Sequence, residues 1–230
     1  MYEALQESLD LHFQDEALLK LAFTHKSYVF ETSNEALDSN ERLEFLGDAV
    51  LACISTDYLY RSFPELSEGD MSNIRSMLVK GETLAQFARD LYLGDFLLMS
   101  KGETNNVKSQ RVLAATFEAV LGAIYLDQGL DGAQRFLLPR LKPMAYHIVK
   151  KRLFKDHKSR FQELAQAHTS ITPAYRLVSQ EGPSHNREFM VEVVLGDEVV
   201  GRGQGRNKQT AEQEAALAAL HNKGWIEESD

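Results

Sequence analysis

The hydrophobic period of this chain changes once, and that change limits the folds open to it. Between Leu5 and about Leu141 the apolar residues recur mostly at intervals of three and four, and the segments 41–63, 68–91 and 109–126 contain no proline. Such spacing lines one face of a helix, so the first part is expected to be all-helical. Its connections are expected at 33–40, at Phe63-Pro64 with Glu68-Gly69-Asp70, at 100–106 and at 127–131, where Gly, Pro, Asn, Asp and Ser gather. Past Pro139 and Pro143 the pattern weakens, and a basic run from Lys150 to Lys158 follows. Beyond it, 158–168 is helical in pattern, while 174–180, 187–195 and 198–203 alternate or are rich in valine. The stretch 209–222 is rich in alanine, a strong helix former. The second part is therefore α-β-β-β-α, an α+β unit with its helices on one face of an antiparallel sheet. We set the first domain at 1–131, a connecting helix and linker at 132–156, and the second domain at 157–226.

The 230 residues, 43% hydrophobic and 26% charged, have ordinary globular composition, with no repeat or low-complexity tract. A net charge of -9 argues against a binder of polyanions with a basic surface throughout. Residues 1–150 hold 14 basic and 22 acidic side chains, against 11 and 12 in 151–230. Any nucleic-acid site must be local or assisted by metal. Cys53 is the only cysteine, which excludes an intrachain disulfide or a cysteine-built zinc site, fits a reducing compartment and reads as a small buried hydrophobe. The N-terminus carries acid and no apolar core, so secretion is not expected. The most apolar stretch, 112–126, contains Glu118 and falls short of the ~20 residues a bilayer requires, so it reads as a buried helix.

On a helix spanning Asn40 to Leu51, Glu41, Glu44 and Asp48 fall in one narrow stripe. Leu43, Phe45, Leu46, Ala49, Val50 and Leu51 occupy nearly every other side, which predicts a largely buried helix. Arg42, the one cation nearby in sequence, points away from the stripe, so neutralisation has to come from outside. A divalent metal such as Mg²⁺ suits carboxylate oxygens and keeps waters that can act as nucleophiles. Glu118 stands in isolation within a second apolar helix, and Gly47 and Gly122 would let the two helices approach closely enough to bring it to the stripe. An acidic triplet is ordinarily a solvated helix face; the apolar surroundings weigh against that reading here.

The run Asn40-Glu41-Arg42-Leu43-Glu44-Phe45-Leu46-Gly47-Asp48 resembles the signature of the ribonuclease III family. Also similar are the segments 22–28 and 68–72, the helix 113–127, and a C-terminal double-stranded-RNA-binding domain, so the likeness covers nearly the whole chain. The resemblance implies an all-α endonuclease domain followed by the α-β-β-β-α RNA-binding domain. It further implies a Mg²⁺-dependent hydrolase, with Mn²⁺ able to substitute, that cuts both strands of duplex RNA as a homodimer with one site per subunit. Products would carry 5′-phosphate and 3′-hydroxyl ends with short 3′ overhangs. Glu44, Asp48 and Glu118 would hold metal, Asp48 and Glu118 would be the catalytic acids, and Glu41 would be a supporting acid. Substrates would be precursors of ribosomal RNA and structured messenger and transfer RNAs in a bacterial cytoplasm, with no membrane and no organic cofactor involved. One position departs from the pattern: family members often carry an aspartate where this chain has Ala115.

Duplex RNA is read by shape, through 2′-hydroxyls and phosphates. By resemblance, three regions of the second domain would do this: Gln162 and Glu163 on its first helix, the loop Gly182-Pro183-Ser184-His185, and Arg206, Asn207 and Lys208 at the start of its last helix. Helix N-terminal amides and Lys208 favour phosphate there. His25 is expected to be structural and Trp225 a packing anchor. A rival reading, a catalytically weakened double-stranded-RNA-binding scaffold, rests on Ala115. A metal-storage or small-molecule phosphohydrolase role would leave the second domain unexplained.

Overall fold

The computed structural model describes residues 2–9, 11–32, 37–103, 107, 109–183 and 187–226. They form two compact units, Met1–Phe154 and Lys155–Asp230. In the first, the described elements are all helical: α1 (Tyr2–Leu9), α2 (Glu16–Ala22), α3 (Lys26–Thr32), α4 (Glu41–Ser62), α5 (Glu68–Leu78), α6 (Gly81–Asp90), a 3-10 turn at Leu93–Phe96, and α7 (Gln110–Lys151). A single core includes Leu51, Ile54 and Leu59 of α4 with Phe117, Leu121 and Ile124 of α7, all at most 1% exposed. Two hydrogen-bonded anchors, buried Asn40 and partly exposed Asp127, set the ends of these helices. Asn40, just ahead of α4, donates its side-chain amide to the carbonyl of Ala22, and its backbone N–H to that of Thr24. The Asp127 carboxylate accepts the backbone N–H groups of Gln14 and Asp15 at 2.9–3.1 Å, tying the start of α2 to α7.

Two features differ from the sequence reading. The stretch 68–91 breaks into α5 and α6 because Lys80 is extended (ψ 147°) and begins a new helix. Residues 132–151, read as a connector, continue α7 and bury Phe136, Leu137, Leu141, Ala145 and Ile148 in the first core. Pro139 and Pro143 are exposed within that helix, where the lost backbone donor costs less than the buried face contributes. The bend falls at Gly129, within the connection expected at 127–131, and its φ of 69° is open to glycine at no steric cost.

The second unit runs α8 (His157–Thr169), β1 (Ala174–Glu181), β2 (Glu188–Leu195), β3 (Glu198–Gly205) and α9 (Lys208–Asn222), with an antiparallel sheet in the order β1-β2-β3. Glycine at alternate positions of β3 has a direct cause. A Cβ at Gly201, Gly203 or Gly205 would lie 2.1–2.6 Å from backbone atoms of Ala211 or Ala215. Strand and alanine-rich helix thus pack backbone against backbone. Phe161, Val191, Val193, Ala215 and Leu220 fill the core, and Trp225 stacks on Phe161 and His168 at 5.5 and 4.9 Å.

Candidate active site and RNA-reading face

Where α4 crosses α7, glycine faces glycine. A Cβ on Gly47 would sit 1.8 Å from the Glu118 carbonyl oxygen, and one on Gly122 would sit 2.3 Å from that of Leu43. No other residue permits this approach, and it sets Glu118 of α7 beside Glu44 and Asp48 of α4. Glu118 is half-buried, and burial first, then the charges of Asp48 and Glu44, push its carboxyl up to about 7. Burial and the neighbouring Glu41 raise Glu44 as well, against the pull of Arg111 and Lys26. Among the described residues, none of these three carboxylates has a side-chain hydrogen bond or an ion pair.

Glu41 belongs to a different environment. The Lys26 ammonium donates to it at 3.0 Å and the Ser39 hydroxyl at 3.2 Å, and the Lys26 bond holds its carboxyl below the usual range. The stripe therefore carries its own cation at one end, supplied from α3, which the helix geometry alone does not show. Nearby, His25 pairs through Nδ1 with the Ser27 hydroxyl at 2.8 Å, and burial lowers its pKa. The expectation that α4 is buried nearly all round is corrected. Phe45 is 82% exposed, and Ala49 and Cys53, one and two turns on, are exposed too. These residues lie on the face opposite the core contact made by Leu43, Gly47, Val50, Leu51 and Ile54.

Lys26 and Arg111 are the cations that sequence reasoning passed over. Nothing local links Lys26 to Glu41, fifteen residues away. Arg111, by contrast, is seven residues before Glu118 and four before Ala115, hence on the same face of α7, and could have been found from that spacing.

Among the described residues, no three His, Cys, Asp or Glu side chains converge into a ready-made metal cage. Mg²⁺ does not require one, since it is usually held by one or two carboxylates and several waters. Half-buried Glu44 and Glu118, with the exposed Asp48 beside them and none of the three carboxylates hydrogen-bonded or ion-paired among the described residues, fit such an ion. Ala115, half-exposed on the same helix, contributes no ligand.

In the second unit, Gln162 and Glu163 are exposed and line a groove of about 570 Å³ with Ser159, Gln166 and Ala167. Lys155 binds both oxygens of Glu163, with Oε2 at 2.6 Å. At the other region, Asn207 caps α9: its side-chain oxygen accepts from the Thr210 N–H at 2.8 Å, leaving its amide group to donate. Arg206 and Lys208 flank it, both exposed. His185 lies outside the described residues, as does Ser184.

Comparison with known proteins agrees with this layout. Residues 15–144 match the ribonuclease-III-like family, and 157–223 match the double-stranded RNA binding motif. Ribonuclease 3 of Oceanobacillus iheyensis is 45% identical over 223 residues, covering 94% of this chain and 95% of its own. Ribonuclease 3 of Streptococcus sanguinis is 43% identical over 227 residues, 96% of each chain. A solved nuclease domain of ribonuclease III from Campylobacter jejuni, described with structural flexibility in a region involved in dimer formation, superposes with a TM-score of 0.57 at 40% identity, covering 62% of this chain and 97% of its own. Likeness sustained over both units at this identity leaves one assignment: the chain belongs to the ribonuclease III family, and is an endoribonuclease joined to a double-stranded-RNA-binding module.

Proposed function

We propose that this chain hydrolyses phosphodiester bonds in both strands of duplex RNA with Mg²⁺, for which Mn²⁺ can substitute, leaving 5′-phosphate and 3′-hydroxyl ends. The observation that carries this is the Gly47–Gly122 crossing, which sets Glu118 beside Glu44 and Asp48 with no ion pair of its own among the described residues. Glu44, Asp48 and Glu118 are the residues that would hold the metal, with Asp48 and Glu118 also the catalytic acids. When bound, Mg²⁺ supplies the positive charge that stabilises the phosphodiester transition state and its leaving oxygen. Glu41, already satisfied by Lys26, supports the edge of the site by fixing the start of α4 against α3.

Duplex recognition falls to the exposed Gln162 and Glu163 on the α8 groove, to Arg206, Asn207 and Lys208 at the start of α9, and to His185 in the β1–β2 loop. A homodimer is supported by the first unit's apolar surface. Exposed Phe45 lines a groove of about 640 Å³ together with Leu18, Leu21, Leu43, Leu46 and Leu126 and the polar Asp38, Ser39, Glu41 and Arg42, an apolar floor with a polar rim that suits a second copy. Precursors of ribosomal RNA and structured messenger and transfer RNAs in the bacterial cytoplasm are the proposed substrates. No helix among the described residues is long and apolar enough to cross a membrane.

Cleavage of labelled duplex RNA tests the site. Glu118→Ala is expected to abolish cutting at any practical Mg²⁺ concentration while the duplex still shifts in a binding gel. Full activity of that variant overturns the metal assignment. Ala115 favours a second reading, a duplex-binding scaffold, and the wild-type chain decides it in the same assay by nicking the duplex or only shifting it.

A further inference from the structure

Lys155 is the residue before the N-cap of α8, in no helix or strand. Asp156 accepts the Ser159 N–H at 2.7 Å and holds an extended backbone (φ -66°, ψ 156°) at the helix entrance. With the entrance so fixed, the Lys155 side chain runs beside the first two turns of α8 and its ammonium reaches Glu163, eight residues on, binding both carboxylate oxygens. The cation is the more hidden partner, at 15% side-chain exposure against 53% for Glu163. The enclosure of the ammonium and its contact with both carboxylate oxygens distinguish this pair from the exposed ion pairs that contribute little.

The placement has a chemical consequence for the RNA-reading face. A carboxylate has about four lone-pair sites, so Glu163 can keep the Lys155 ammonium on one side and still accept ribose hydroxyls on the other. A bare carboxylate would repel the phosphates of a duplex, and a free glutamate samples many rotamers. Lys155 removes both obstacles without itself presenting an exposed charge to the groove of Ser159, Gln162, Glu163 and Gln166.

We propose that Lys155 is a positioning residue for RNA recognition: it fixes Glu163 in one orientation at the α8 groove and cancels its charge. This rests on the reading of Gln162 and Glu163 as ribose contacts. It places a determinant of duplex affinity at the first residue of the second unit, outside the three RNA-contacting regions.

The test is a double-mutant cycle on the full chain, with binding to a duplex of about 30 base pairs, longer than the ~16 that one module spans, followed by fluorescence anisotropy in EDTA at several salt concentrations. Lys155→Met is expected to weaken binding about tenfold in the wild-type background and less than about twofold in a Glu163→Gln background, the coupling expected of directly bonded side chains. Lys155→Arg, which keeps the cation and the reach, is expected to restore most of the affinity and guards against a loss that is merely structural. An equal loss from Lys155→Met in both backgrounds, with a salt slope about one unit shallower, would make Lys155 a direct phosphate contact and overturn the proposal. Weakened binding by Glu163→Ala with no effect of Lys155→Met also overturns it, while leaving the α8 face as the RNA reader. Wild-type affinity in both Gln162→Ala and Glu163→Ala removes that reading itself.

Discussion

Ionising Glu118 adds a negative charge to a half-buried place that Asp48 and Glu44 already make unfavourable. Its pKa of about 7 in the folded chain lies above the ordinary value of 4.5, so between those limits the folded chain keeps a proton that the unfolded chain releases. Without metal, stability from this group is therefore fully present below pH 4.5, erodes as pH rises, and is gone above about 7. Glu118→Gln, which cannot ionise, is expected to unfold at a higher urea midpoint than wild type at pH 8 in EDTA and at the same midpoint at pH 4. Mg²⁺ should narrow the gap at pH 8 by stabilising the wild type more than the variant, which keeps only Glu44 and Asp48. Equal midpoints at both pH values would show that Glu118 is not electrostatically strained. The stripe of Glu44 and Asp48 and the isolation of Glu118 are visible in the sequence, because helix periodicity is local. The pairing of Glu41 with Lys26 is not, because it depends on how α3 is set against α4.

Among elements, the α4–α7 crossing is the most sharply constrained contact. Helix axes are normally held apart by side chains, and here the closest atoms are backbone. A methyl at position 122 would meet the Leu43 carbonyl, which has no rotamer in which to retreat. Gly122→Ala is expected to cost about 1–3 kcal/mol or more in chemical unfolding, the range for overpacked cores. It should also slow duplex cleavage by separating Glu118 from Glu44 and Asp48, so unchanged stability together with unchanged cleavage would contradict the close approach. The two glycines signalled this contact in the sequence. The basic run at 150–158 marked the boundary between the two units, but the packing of 132–151 onto the first core was not signalled, because Pro139 and Pro143 weaken the local pattern while the buried residues 133–148 are recruited by a core formed far away in the chain. In the second unit the elements were legible nearly to their ends, since the strands alternate or are rich in valine and Gly, Asn and Asp punctuate the turns between them.

For the whole molecule, the exposed strip of Phe45, Ala49 and Cys53 is the feature that a single copy leaves unexplained. Phe45→Arg is expected to shift the sedimentation coefficient from dimer to monomer while leaving the far-ultraviolet circular dichroism unchanged. A dimer that survives the arginine would place the interface elsewhere. Sequence alone had Cys53 buried, because a helix apolar on several sides does not say which side meets its own core and which is left for another surface. Periodicity, small residues at a crossing point and the order α-β-β-β-α are properties of neighbouring residues, and they determined the two folds, the acidic stripe and the family. The ion pairs that set Glu41 apart and fix Glu163, and the exposed face of α4, were decided only in three dimensions. Each depends on how a side chain is aimed by structure beyond its own helix: the setting of α3 against α4 for Glu41, the capped entrance of α8 for Glu163, and the side of α4 that meets the core for Phe45.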